Sequence, residues 1–285
     1  MQMNSILSVQ LKRMFPLALA ALLLGGCQQT VNIDLNQANS HMVIEGNITD
    51  QPGPYTVVLS KTGDYFVSAL AFPAVTGALV IVNDNAGQSD TLKETVSGTY
   101  QSTKLQGLPG RTYQMNVMAD GVPFSATSSM PAKVLIDSLY ALPRPAGRGE
   151  PGFDIYVTFK DPPQTGNYYR INASSSAPIA DDSIDGRRYR LYTDKLTNGN
   201  EMQERIRAGR NVSPGDTITV ELLSIDKPSY DFFNTLSNIL QSDRAATSLA
   251  PANPNSNRNN PAADNDRIGK HFMVSSLANG RVGNR

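Results

Sequence analysis

Met42-Val43-Ile44-Glu45-Gly46-Asn47-Ile48, then Asp50-Gln51-Pro52-Gly53-Pro54, then Tyr55-Thr56-Val57-Val58-Leu59-Ser60, is the stretch on which the fold turns. Apolar residues alternate with polar ones on both flanks, the signature of half-buried strands. The Asp, Pro and Gly between them break the chain into a turn, so the segment reads as a β-hairpin. Further strands are expected at intervals of about ten residues, over Ala78 to Asn83, Thr91 to Thr95, Gly98 to Gln101, Arg111 to Ala119 and Val122 to Thr127. Short strands at that spacing with no helical period between them predict an immunoglobulin-like β-sandwich over residues 41–131.

A second β-rich domain is expected over residues 132–285. Val134 to Leu142, Phe153 to Phe159, Asn167 to Asn172, Arg187 to Thr193 and Asp216 to Ile225 alternate as strands, and Pro143 to Gly152 reads as a loop. One helix is expected at about 227–242. Asp226 stands where it can cap that helix, Pro228 sits where its missing N–H is harmless, and Tyr230, Phe233, Leu236 or Ser237, and Leu240 recur at helical spacing. Residues 250–267 are Asn-, Pro- and Ala-rich and predict a mobile loop before a last strand from Ile268 to Leu277.

Upstream of the hairpin, Cys27 is the single cysteine in 285 residues. Lys12 and Arg13 precede an apolar run from Met14 to Leu24, and Leu24-Gly25-Gly26-Cys27 closes it. This order of positive, apolar and small residues predicts a lipoprotein signal peptide over 1–26 with Cys27 as the acylated residue. The run is too short to span a bilayer. Two or three palmitate-type chains on Cys27 would anchor the chain durably to outer-membrane lipid, and residues 27–40 would serve as a tether. An ordinary secretory signal that happens to end near a cysteine is the alternative. With Cys27 acylated, neither a free thiol nor a disulfide is left to the body, so core burial must hold it.

Charge excludes several function classes. The whole chain balances at 25 basic and 25 acidic residues, and because residues 1–26 hold only Lys12 and Arg13, the chain from Cys27 carries 23 against 25. Nothing there attracts nucleic acid, and none is expected as a partner. Histidine occurs only at 41 and 271, with no paired-His spacing, and neither a Gly-x-Ser-x-Gly elbow nor a P-loop is present. No catalytic residue and no cofactor is assigned. An unrecognised carboxylate pair, drawn from Glu45, Asp154 and Glu221, is the remaining route to a hydrolase.

Two acidic clusters are calcium candidates: Asp84 and Asp90 in one, Asp181, Asp182 and Asp185 in the other. Neither has EF-hand spacing, and Asn, Asp and Gly are also what tight turns require, so turn and calcium readings stand side by side. Tyr168, Tyr169, Tyr189 and Tyr192 beside Arg170 have the composition of a contact surface and form the candidate binding face, although alternation puts one of each Tyr pair inward. The chain has no tryptophan, which removes indole stacking as a sugar platform.

Gly98-Thr99-Tyr100, with Leu105-Gln106-Gly107-Leu108-Pro109-Gly110-Arg111-Thr112-Tyr113, resembles prealbumin-like modules and implies fold alone. A broader resemblance rests on Val43-Ile44-Glu45-Gly46-Asn47-Ile48-Thr49-Asp50, Asp161-Pro162-Pro163, Gly166-Asn167-Tyr168-Tyr169-Arg170, Thr193-Asp194-Lys195-Leu196-Thr197-Asn198-Gly199, Pro214 to Leu222 and Tyr230-Asp231-Phe232-Phe233. These segments look like the Bacteroidota lipoproteins catalogued as domain-of-unknown-function family 4249. That resemblance implies a non-enzymatic accessory of TonB-dependent transport at the outer membrane, binding a nutrient or the transporter itself. A free-standing structural or adhesion lipoprotein is the alternative, and a hydrolase the third. The family pattern is broken at Arg258 to Arg267. Asp90-Thr91-Leu92, Asp137-Ser138-Leu139, Asp182-Ser183-Ile184 and Asp216-Thr217-Ile218 are similar to the O-glycosylation triplet of that phylum. The membrane face stays open, because Gln28-Gln29 lack the acidic run of surface-exported relatives.

Overall fold

A computed structural model of the chain describes residues 41–62, 72–144, 152–176, 188–206, 215–242 and 270–283. The signal peptide, the tether, Asp181, Asp182, Asp185 and the 250–267 loop lie outside the described residues. The quoted hairpin forms as expected: β1 (Met42–Thr49) pairs antiparallel with β2 (Thr56–Lys61). Met42, Ile44, Gly46 and Ile48 face inward while Glu45 and Asn47 face out, as the period of two demands. Gly46 packs tightly on the inner face, where a Cβ would lie 3.2 Å from the Phe272 ring and 3.3 Å from Val57.

The chain continues through β3 (Leu79–Asp84), β4 (Ser89–Thr91), β5 (Lys93–Val96), β6 (Thr99–Gln101), β7 (Thr112–Ala119), β8 (Val122–Ser129), β9 (Ser138–Pro143), β10 (Phe153–Lys160), β11 (Tyr168–Ser175), β12 (Arg188–Thr193), β13 (Glu201–Ile206), β14 (Thr217–Ile225), the helix α1 (Lys227–Ser242) and β15 (Lys270–Gly283). The fold is mainly β. An eight-stranded sheet runs β12-β11-β14-β15-β1-β2-β6-β5, a four-stranded sheet β4-β3-β7-β8, and a three-stranded sheet β13-β10-β9. The four-stranded sheet closes a sandwich against the β1 end of the large sheet. Its core holds Ile44, Leu59, Val80, Tyr113, Met115 and Phe272. The three-stranded sheet closes a second core against β11 and β14, around Val157, Phe159, Tyr169, Ile171, Val220 and Leu222.

Several strand boundaries differ from expectation. Thr91 to Thr95 is not one strand but two, β4 and β5, which belong to different sheets. The break falls at Leu92, whose N–H bonds Val80 O at 2.9 Å while its side chain enters the core. The strand expected from Val134 begins at Ser138, and β13 was not anticipated, since Glu-Met-Gln-Glu-Arg-Ile carries few apolar residues. The last strand runs six residues past Leu277. Its Gly280 lets β15 pass close to the chain leading into β9, because a Cβ would meet Leu139 at 3.2 Å and Ile136 at 3.3 Å. β15 lies between β14 and β1 and pairs parallel with β1, Ile44 opposite Lys270.

The helix begins as predicted. Asp226 Oδ1 accepts the Ser229 N–H at 3.0 Å, a side-chain cap of the first turn. Asp226 Oδ2 also accepts from Ser128 Oγ at 2.7 Å and Ser129 N at 3.1 Å, which fixes the helix start to β8. Phe233 then packs with Leu223, Ile225 and Met273 on the outer face of the large sheet.

Candidate functional site

The five residues expected to form one Tyr–Arg binding face do not do so. Alternation along β11 sends Tyr168 and Arg170 to the side covered by α1, and Tyr169 to the second core. Tyr168 meets Tyr230 with tilted rings 5.0 Å apart, and Tyr189 packs edge-on to Phe233 at 5.4 Å. The Arg170 guanidinium lies 4.5 Å from the Tyr189 ring centre and 4.1 Å from that of Phe233. These are cation–π contacts inside the helix–sheet seam. Tyr169 is buried, edge-on to Phe159 at 5.0 Å, and its hydroxyl donates to Asp161. Burial first, then the Asp161 carboxylate, pushes the Tyr169 phenol well above its ordinary range. Tyr192 is likewise raised by burial and by the charge of Glu204, to which it is hydrogen-bonded. What composition suggested as a surface is structural packing on two faces of one sheet.

Asp84 and Asp90 are occupied by turns rather than arranged around an ion. Asp84 accepts from Ala86 N at 3.0 Å and Gln88 N at 2.7 Å, and pairs with Arg111. Asp90 accepts from Thr103 N and Oγ1, both at 2.8 Å, and from Lys104 N and Leu105 N, both at 2.9 Å. Burial works to raise both pKa values, but these donors outweigh it and the net shift is downward. Among the described residues no group of three or more His, Cys, Asp or Glu side chains is placed to hold a metal ion.

The three carboxylates weighed for hydrolysis are also kept apart. Glu45 sits opposite His271 and Glu221 opposite Asn279 on the same strand β15. Eight residues of strand separate those partners by about 27 Å, where a glycosidase pair needs about 5–9.5 Å. Asp154 belongs to a different sheet.

A different Tyr–Arg face does form, on the outer side of the three-stranded sheet. Ile155, Val157 and Phe159 of β10 point into the core, so Asp154, Tyr156 and Thr158 point out. Register places Tyr140 of β9 and Arg205 of β13 on either side of Tyr156. The Tyr140 and Tyr156 rings stack 5.5 Å apart with 13° between their planes. Beside them Asp154 is held by Arg144 Nε at 3.3 Å and Arg205 Nη1 at 3.3 Å. Gln203 Nε2 donates to the Tyr140 hydroxyl, and Ser138 and Thr158 share a hydrogen bond at 2.6 Å. The result is a face carrying two stacked aromatic rings, two guanidinium groups, an amide and hydroxyls, pinned by a carboxylate between the two arginines. Sequence reading missed it because its members come from three strands and one of those strands was unanticipated. The usable signal was the alternation of Phe153 to Phe159, which already turns Tyr156 outward.

A family model described as Domain of unknown function (DUF4249) matches residues 28–268. The chain belongs to this family. The DUF4249 match takes in β1 to β14 and α1 and stops just short of β15. No curated protein matches the chain. Among solved structures it is similar to a two fibronectin type-III domain segment from chicken tenascin, at 12% identity, over 66% of this chain and 92% of that one, with a TM-score of 0.21. A score that low leaves the fold to be argued from the strands themselves. Among the described residues no helix is long and apolar enough to cross a membrane.

Proposed function

We propose that this DUF4249 chain is a lipid-anchored, non-catalytic accessory of the outer membrane that docks a TonB-dependent transporter through the Tyr140, Tyr156 and Arg205 face. The face is the observation that carries the reading. Tyr and Arg are the residues that dominate binding energy at protein interfaces, and three strands present them rigidly and in register. A small nutrient is normally taken in a concave pocket, whereas these residues lie side by side on the outer side of three paired strands, so a macromolecular partner suits them better. The anchor is supported by the Lys12, Arg13, Leu24-Gly25-Gly26-Cys27 order. The non-catalytic part is supported by the use of Asp50, Asp84, Asp90, Asp161, Asp194 and Asp226 as acceptors for backbone N–H groups within the fold.

Capture of the tagged, lipidated chain from its native membrane in mild detergent tests the reading. The transporter is expected in near-stoichiometric amount with the parent chain and at least tenfold less with Tyr156→Ala plus Arg205→Ala. Recovery of the parent chain alone would shift the assignment to the free-standing surface lipoprotein.

A further inference from the structure

We infer that the β7–β8 end of the body rests on the lipid surface, with its apolar side chains in the headgroup layer. This rests on the Cys27 anchor proposed above. Leu79 lies opposite Met118, and Met118 opposite Pro123, so the three form one row across β3, β7 and β8 on the solvent side of the four-stranded sheet. Leu79 is 50% exposed, Met118 46%, and Val122 at the hairpin tip 46%. Phe72, 67% exposed, is at the same end, since the neighbouring Pro73 O accepts from Lys61 N at 2.8 Å. With Ile81 half-buried on the same side of β3, the row is contiguous, and a contiguous apolar patch marks a contact surface rather than scatter.

Charge at this end is compensated. Asp120 and Gly121, with φ of 50° and 75°, make the two-residue turn, and the Asp120 carboxylate is held by Lys61 at 2.7 Å. The row also lacks the Tyr, Trp and Arg anchors of a protein interface, which the three-stranded sheet carries instead. The path of the chain favours lipid as the occupant. Thr62 N bonds His41 O at 2.9 Å and Met42 pairs with Lys61, so the tether from Cys27 enters the body one strand and one lysine side chain from the hairpin tip. Fourteen residues from Cys27 to His41 reach at most about 50 Å, and this is the end they lead to. Shallow seating of about 5–10 Å is what such side chains achieve at an interface.

The test places an environment-sensitive fluorophore on Met118→Cys in the full lipidated chain, reconstituted into phosphatidylethanolamine–phosphatidylglycerol vesicles. Cys27 is acylated, so residue 118 offers the sole thiol. Ala86→Cys, in the exposed turn at the other end of β3, about 20 Å away, is the control. A blue-shifted emission at 118, quenched severalfold by headgroup-borne quenchers and absent at 86, is expected. A probe at 118 as wet as that at 86, on protein that still floats with the vesicles, would overturn the contact and leave the anchor standing. Shielding that appears only when membrane proteins are added would overturn it in favour of a protein partner. Protein that does not float would remove the anchor and this inference together.

Discussion

Replacing Asp90 separates the turn reading of the acidic cluster from the calcium reading. The residue is 1% exposed and accepts four hydrogen bonds from Thr103, Lys104 and Leu105, so it clips the 102–105 segment to the edge of the four-stranded sheet. Hydrogen bonds to a charged acceptor contribute about 1.5–3 kcal/mol each, and a buried donor left unpaired costs about 1–3 kcal/mol. Only Leu105 N is fully buried, while the other donors recover part of their loss from water. Asp90→Ala is therefore expected to cost about 3–5 kcal/mol. Asp90→Asn keeps an oxygen for the three N–H groups and turns its amide toward Thr103 Oγ1, so about 1–2 kcal/mol is expected. Urea unfolding followed by circular dichroism measures both. Calcium or a chelator should move the unfolding of the parent and of Asp90→Asn by the same amount. The pH dependence has a definite sign, because the folded pKa of Asp90 lies below its unfolded value. Its contribution is complete above the unfolded value near pH 4 and is lost as pH falls through the folded one. Asp90→Asn should flatten that acid limb. An Asp90→Ala chain within about 1 kcal/mol of the parent, or a stabilisation of the parent by calcium that Asp90→Asn abolishes, would refute the reasoning.

Other substitutions probe the joints of the fold. Gly107→Ala would put a Cβ 2.0 Å from Thr49 O and 2.9 Å from the Met130 methyl, and since backbone cannot yield, a loss above about 3 kcal/mol or failure to accumulate folded protein is expected. Asp226→Ala removes the helix cap and the tie to Ser128 and Ser129 together, and about 2–3 kcal/mol in urea unfolding is expected, more than a cap alone contributes. Burial raises the folded pKa of Glu204, against the Tyr192 hydrogen bond and Arg190, so this carboxyl destabilises the fold progressively as pH rises through its unfolded and then its folded value. Glu204→Gln should raise Tm at pH 7 and give no gain below pH 4, as differential scanning calorimetry would record.

Local rules made much of the architecture legible. The alternation from Met42 to Ser60 and the Asp226 cap ahead of Tyr230 and Phe233 each depend on neighbours in sequence, and both formed as read. Long-range partnership is different. β15 inserts between β14 and β1, and its Gly280 packs closely on Leu139 and Ile136, contacts across more than a hundred residues that no window contains. The candidate site failed for the same reason in reverse. Tyr168, Arg170 and Tyr189 are close in sequence and looked like a surface, but a helix from elsewhere covers them. Tyr140, Tyr156 and Arg205 are scattered in sequence and meet only through strand register.

Site-specific photocrosslinking from position 203 in intact cells tests the docking claim most directly, because Gln203 is exposed on the Tyr–Arg face and donates to the Tyr140 hydroxyl. A crosslinker at 203 should join the chain to a TonB-dependent transporter in high yield, while one at Gln114, on the outer side of the four-stranded sheet, should not. Equal crosslinking from both positions, or none from 203 in cells where the transporter is expressed, would contradict the account.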